Sequence, residues 1–286
     1  MASRYLAADA VDLNTTASWK ATIDGATGQT VPTAADDVHI KEGTQTVNTN
    51  PTTLNVDLES VTVSRGFTGN LGEAGTPLTI ACSNSADSVF RLNSGGLESY
   101  ITAGTAGIDR LVISVPDRSR VYLTGGTFVL VEHYGGELII AGSATVTNYR
   151  GYGNSRATAR AGTQFTTALL ADNAWLKTER TIATGNIAGS AYVQMIEAAA
   201  SGTLMRVMGG TLNLQTSGTI AQIDQYGGLT TPAGARDDVP VTLFNLYSGV
   251  VYEMAGQSKV TIGTKGDVGG PSFTSWTTGP GGSKSA

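Results

Sequence analysis

Met208-Gly209-Gly210-Thr211-Leu212-Asn213-Leu214-Gln215-Thr216-Ser217-Gly218 holds the pattern that decides the fold. A glycine pair turns the backbone, a run alternating between apolar and polar residues follows, and Thr-Ser-Gly ends it. Alternation with period two places Leu212 and Leu214 on one side of an extended strand and Asn213 on the other. The same order recurs. Gly125-Gly126 leads into Thr127-Phe128-Val129-Leu130-Val131, Gly135-Gly136 into Glu137-Leu138-Ile139-Ile140, and Gly227-Gly228 into Leu229-Thr230-Thr231.

The spacing of these corners separates the all-β architectures. Gly210 to Gly228 is 18 residues, Gly228 to Gly249 is 21 and Gly136 to Gly153 is 17. Periods near 20 are those of solenoids. Gly126 and Gly136 are closer and mark two corners of one turn. Turn signals every ~8–12 residues also suit a β-sandwich or jelly roll, which is the alternative. The mutual resemblance of the segments favours a parallel β-helix, in which each coil stacks its strands on the next and glycine lets the corners turn.

Further short strands are expected at Leu54–Leu58, Val61–Val63, Leu111–Ile113, Val121–Leu123, Val241–Phe244 and Val250–Tyr252. Each is bounded by Gly, Ser, Asn, Asp or Pro. The stretch from Ala191 to Ala200 reads equally as a short helix or a strand. Three regions follow from the pattern: an irregular N-terminal section over residues 1–50, a β-helix over 51–265 and an extended C-terminal arm over 266–286. The arm is punctuated by Gly269-Gly270-Pro271 and Gly279-Pro280-Gly281-Gly282, and Phe273 and Trp276 are its large apolar side chains.

Composition agrees with a turn-rich chain. There are 37 glycines in 286 residues, nearly twice the usual ~7%. Charged residues make up 14%, against the usual ~25%. A formal net charge of -5 argues against a general nucleic-acid binder, which needs a basic face to neutralise phosphates. No apolar run reaches membrane-helix length, and the N-terminus has no signal-peptide pattern, since Arg4 is followed by Asp9 and Asp12 without an apolar stretch between charges and cleavage site. Folding in a cytoplasm is the expectation. The single cysteine, Cys82, reads as a small buried hydrophobe.

Chemistry finds little footing. His39 and His133 lie far apart without Cys or carboxylate partners at zinc-ligand spacing, and His133 reads as a side chain at the edge of a rung. No phosphate-binding glycine loop and no nucleophile elbow occurs, and no cofactor is implied. Carbohydrate cleavage needs two carboxylates facing one another, and Glu132, Glu137, Asp172, Asp224, Asp237, Asp238 and Glu253 are the carboxylates available. None stands in a repeated frame that puts two on one face, so a non-enzymatic protein is expected. Arg150, Arg156 and Arg160, interleaved with Tyr149 and Tyr152 in an acid-free stretch, read either as exposed loop arginines or as a contact for an acidic partner or a sugar.

Trp19 and Val31-Pro32-Thr33-Ala34-Ala35-Asp36-Asp37-Val38 together resemble the N-terminal section of many tailed-bacteriophage virion proteins. There a tryptophan and a V-P-T-x-x-D-D-V-like stretch precede glycine-punctuated β-repeats. The resemblance covers roughly residues 1–45 and implies a non-enzymatic structural protein of a phage particle. Within that class, a single module with extended arms implies a capsid decoration, or cement, protein on the capsid exterior. Its implied partners are the major capsid protein and two further copies in a homotrimer, with neither membrane nor nucleic acid contacted directly. Trp19, Phe273 and Trp276 are then expected as apolar anchors, and Arg150, Arg156 and Arg160 as polar ones. A tail-fibre or tailspike-type receptor-binding protein is the alternative, with carbohydrate cleavage as its further variant.

Overall fold

A computed structural model of the chain describes residues 2–10, 12–47, 54–93, 96–160, 165–197, 200–253, 260–266 and 277–278. They form two compact units, Met1–Asn148 and Tyr149–Ala286, and each is a parallel β-solenoid. No α-helix occurs among the described residues, where the one helical turn is a 3-10 turn at Thr16–Ser18.

In the first unit, one stack of parallel strands runs through Asp37–Gly43, Ser60–Phe67, Val89–Leu92, the latter half of Glu98–Ser114, and Thr127–Gly135. A second runs through Leu54–Asp57, Leu78–Cys82, the earlier half of Glu98–Ser114, Arg120–Gly125 and Glu137–Ile140. The chain alternates between the stacks, so two strands and two corners make one coil. Alternation in sequence becomes vertical columns in the core. Val38, Val61, Phe90, Leu111 and Val131 occupy one register position on successive coils, and all are buried. Burying a side chain of this kind contributes about 1.5–3 kcal/mol, and stacking repeats the gain at every coil.

The N-terminal residues close this unit. Ser3–Leu6 pairs antiparallel with Trp19–Lys20 and parallel with Asp37–Gly43, so ordered pairing begins well before residue 51. Asp36 organises the join. Its carboxylate accepts the Ala2 N–H at 2.9 Å, the Thr33 N–H at 3.0 Å and the Thr33 hydroxyl at 3.0 Å, and Arg4 lies 3.8 Å away. Burial alone would raise the Asp36 pKa, but these hydrogen bonds and the Arg4 charge bring it below the ordinary carboxylate value.

In the second unit, Arg156–Ala159, Trp175–Thr178, Tyr192–Ile196, Thr211–Gln215, Leu229–Thr231 and Val250–Glu253 form one parallel stack. Phe165–Leu170, Ile182–Ile187, Gly202–Val207, Ile220–Gln225, Val239–Leu246 and Val260–Gly266 form the other. The ambiguous stretch beginning at Ala191 is therefore the strand Tyr192–Ile196. Its alternate residues Val193 and Met195 are buried among coils above and below, and a helix there would break both columns.

Gly210, Gly228 and Gly249 occupy the same corner of three successive coils, with φ values of 68°, 70° and 99°. The Leu229 N–H donates to Gly210 O, and the Val250 N–H to Gly228 O, both at 2.9 Å. A Cβ on Gly228 would sit 2.4 Å from Gly210 O. Glycine is required here twice over, by the left-handed backbone and by the approach of the coil beneath.

Candidate functional site

The outward face of the second unit's Arg156–Glu253 stack carries side chains in rows. Register places Arg156, Trp175, Tyr192 and Thr211 in one row on successive strands, and Thr158, Lys177, Gln194 and Asn213 in the next. Two residues of strand separate the rows by about 7 Å. The Trp175 and Tyr192 rings lie parallel, 5° apart in plane with centroids 6.4 Å apart. Both are half-buried, so they present an aromatic step to solvent. The Asn213 amide donates to the Tyr192 hydroxyl at 2.8 Å and fixes the edge of that step.

Beyond the second row, the strand ends open into a groove of about 380 Å3 lined in part by Lys177, Glu197, Gln215, Thr216, Arg236 and Asp237. Its floor is held by a chain of amides. Gln194 Nε2 donates to Gln215 Oε1 at 2.8 Å, and Gln215 Nε2 donates to Ala233 O. Gly234 completes the fit, because a Cβ there would stand 2.7 Å from Gln215 Nε2. Glu197 turns the chain at a φ of 72°, a left-handed conformation costing a non-glycine residue about 1–2 kcal/mol. The buried Thr216 hydroxyl, 2.6 Å from Glu197 O, holds that turn, and the Gly218 N–H donates to the same hydroxyl at 2.9 Å.

Elsewhere the sequence candidates have varied fates. Trp19 is fully buried, and its indole N–H donates to Leu13 O at 2.8 Å. It is a core residue of the N-terminal closure and offers no surface to a partner, which corrects its reading as a contact anchor. A tryptophan near a terminus, without flanking strand alternation, reads from sequence like an exposed anchor, whereas here the Ser3–Leu6 pairing covers it. Arg150, Arg156 and Arg160 are all exposed. Arg150 lies on Thr145–Gly151 and Arg156 on Arg156–Ala159 past the next corner, so the three do not share one strand face. The Arg160 carbonyl receives the Arg180 Nε–H at 2.6 Å. Phe273 and Trp276, and nearly all of the 266–286 arm, lie outside the described residues.

Of the seven carboxylates considered for cleavage, Glu132, Glu137, Asp172 and Asp224 are each bound by a partner in their own unit. Glu132 accepts two hydrogen bonds from Arg110 at 2.7 and 2.8 Å, and Glu137 receives Arg120 Nε–H at 2.6 Å. Asp172 accepts the Gly153 N–H, and Asp224 accepts Gln222 and Asn245 amides at 2.8 Å. Asp237 lines the groove, Asp238 is exposed nearby, and the Glu253 side chain lies outside the described residues. Among the described residues no group of three or more His, Cys, Asp or Glu side chains is arranged to hold a metal ion. No helix there is long and apolar enough to cross a membrane.

Two buried polar residues differ from what the sequence suggests, His133 because it lies in the core and Gln225 because no motif marks it. His133 continues the column Ile40, Val63, Leu92 and Ile113. It is fully buried rather than at the edge of a rung, and Nε2 lies 2.9 Å from Gly135 O. Burial drives its pKa down from 6.5 to about 4. Gln225 likewise occupies the column of Leu170, Ile187, Val207 and Leu246. Its amide donates to Gly228 O at 3.1 Å and Val250 O at 3.0 Å. The signal was present as His133-Tyr134-Gly135-Gly136 and Gln225-Tyr226-Gly227-Gly228. In both, a polar core residue secures corner carbonyls and the following tyrosine is exposed. Cys82 is buried as a small hydrophobe, and burial pushes its thiol up to about 12, so it stays protonated and unreactive at neutral pH.

Compared with known protein families, curated proteins and solved structures, the chain matches none.

Proposed function

We propose that the chain is a non-enzymatic structural protein of a bacteriophage particle, a decoration protein seated as a homotrimer on the major capsid protein at the capsid exterior. The observation that carries this reading is how the charged side chains are used. Glu98, Arg120 and Glu137 share one row on successive coils. Arg120 contacts Glu137 at 2.6 Å and Glu98 at 3.7 Å, and Arg110 grips Glu132. Side chains spent on bracing one coil against the next suit a rigid scaffold whose outer faces make many repeated contacts. Such contacts act by avidity and need no single dominant residue. The phage resemblance of Trp19 and the Val31–Val38 stretch supports the same reading, now with those residues as the solenoid's own closure.

Copy number tests the proposal. Purified particles should contain the protein in hundreds of copies, and particles lacking it should rupture at lower temperature or on milder osmotic shock. A handful of copies per particle would overturn the capsid assignment in favour of a tail-borne receptor-binding protein. That second reading is favoured by one observation, the Trp175–Tyr192 step beside the groove.

A further inference from the structure

The groove of the second unit has the composition of a ligand site rather than of a gap between coils. Its volume of about 380 Å3 falls within the ~300–1,000 Å3 of small-molecule pockets. Two cations, Lys177 and Arg236, and two carboxylates, Glu197 and Asp237, line it, so the formal charge is zero. The amide chain through Gln194 and Gln215 and the Thr216 hydroxyl hold its floor in place, and the strained Glu197 backbone at φ 72° is the sort of feature that persists where a site requires it.

We infer that this groove binds an uncharged saccharide, with the Trp175–Tyr192 step receiving the next sugar along the chain. Each sugar hydroxyl both donates and accepts. A site with donors on Lys177 and Arg236 and acceptors on Glu197 and Asp237 satisfies both halves, as charge-assisted hydrogen bonds. An anionic ligand would gain two cations but meet two carboxylates, and a cation would meet the reverse. The aromatic step lies on the same outward face, with Trp175 two residues before Lys177 on one strand and Tyr192 two before Gln194 on the next. About 7 Å separates the rows, which suits a chain of linked rings better than a single one. The apolar face of a sugar ring packs on the part of the indole left open to solvent, burying area without losing its hydroxyl contacts. This inference rests on the groove and the adjoining aromatic step and holds whether the protein sits on capsid or tail.

The test is titration of the intact protein with neutral hexasaccharides built from glucose, galactose, mannose or N-acetylglucosamine, and with hexagalacturonate as the anionic counterpart, followed by calorimetry. At least one neutral hexasaccharide should bind at one site per chain, more tightly than hexagalacturonate. Asp237→Asn and Arg236→Ala, both on an exposed turn, should each weaken it about tenfold or more, the loss expected for one charge-assisted hydrogen bond, with the unfolding temperature unchanged. Trp175→Ala should weaken it similarly, and Trp175→Phe should retain most of the affinity. Absence of binding by every neutral sugar, preference for hexagalacturonate, or affinity unaltered in Asp237→Asn and Arg236→Ala would each overturn the inference. None of these outcomes bears on copy number in particles, so the two proposals fail separately.

Discussion

The corner at Gly126 offers a sharp test of what holds the coils together, because three glycines of the same unit separate two effects that glycine replacement normally confounds. At Gly75 an added Cβ meets nothing within 4 Å, and at Gly28 it again meets nothing, although φ there is 96°. At Gly126 φ is 76°, and the Cβ would stand 2.1 Å from Ala103 O. Gly75→Ala should therefore be neutral or stabilise by about 0.4–1 kcal/mol, through loss of freedom in the unfolded chain. Gly28→Ala adds the left-handed penalty of about 1–2 kcal/mol, for a net loss of about 1 kcal/mol after the same unfolded-state gain. Gly126→Ala adds an overlap of more than 1 Å with a backbone carbonyl of the coil beneath. The pairing that follows, Phe128 beside Ile108, and the Thr145 N–H to Gly126 O bond at 2.8 Å leave little room to yield. Overpacking of this kind costs about 1–3 kcal/mol, bringing the total to about 3 kcal/mol. Urea unfolding followed by tryptophan fluorescence and circular dichroism should rank the three variants in that order. If Gly126→Ala lost no more than Gly28→Ala, close stacking of the corners would have no energetic role, and the glycine pairs would be explained by backbone conformation alone.

Two further outcomes follow from the first unit. Trp19→Ala should destabilise the isolated protein by about 3–5 kcal/mol, the usual cost of emptying a buried aromatic site, measured by chemical denaturation without particles. A loss of particle binding with unchanged stability would instead return Trp19 to a surface role. His133 should make stability fall with acid. Its folded pKa of about 4 lies below the ordinary 6.5, so its contribution is complete above about pH 6.5, where both states are neutral. As pH drops, the unfolded chain takes up a proton that the folded chain refuses, and the loss grows until pH falls through about 4, reaching about 3 kcal/mol. His133→Leu should abolish this part of the pH dependence. The hydrogen-bonded Asp36 carboxylate, whose pKa is lowered, should still give a loss at more acid pH in both proteins. A wild type and variant with parallel stability curves between pH 6.5 and 4 would contradict the burial of a neutral imidazole.

The fold was legible because a solenoid writes its geometry locally. Strand alternation around Leu212 and Leu214, and the paired glycines at fixed intervals, are properties of neighbouring residues, and parallel stacking then follows from repetition. The N-terminal closure was not legible. Trp19 pairs with Leu6, and Asp36 binds Ala2, contacts across sequence gaps that no period announces. The buried His133 and Gln225 were hidden for a related reason. Each stands where the column calls for an aliphatic residue, and what permits it is a carbonyl exposed by the corner two or three residues later.

The groove was legible only in pieces, and the reason bears on how such a fold acquires function. Asp237 stands in the sequence among the carboxylates considered for cleavage, while Lys177, Glu197 and Gln215 carry no motif, and the four are spread over 60 residues of chain. Parallel stacking brings them together because one coil's length of chain, 17 to 21 residues here, returns each outward position to the next rung. A change at one position thus gains a neighbour near 4.8 Å away without disturbing the core columns, whose residues point the other way. Recognition can then be assembled on the outer face one rung at a time. The glycine-paired corners supply the constancy that this requires, and the turns that depart from them, after Ile196, Gln215 and Thr231, are where the groove opens.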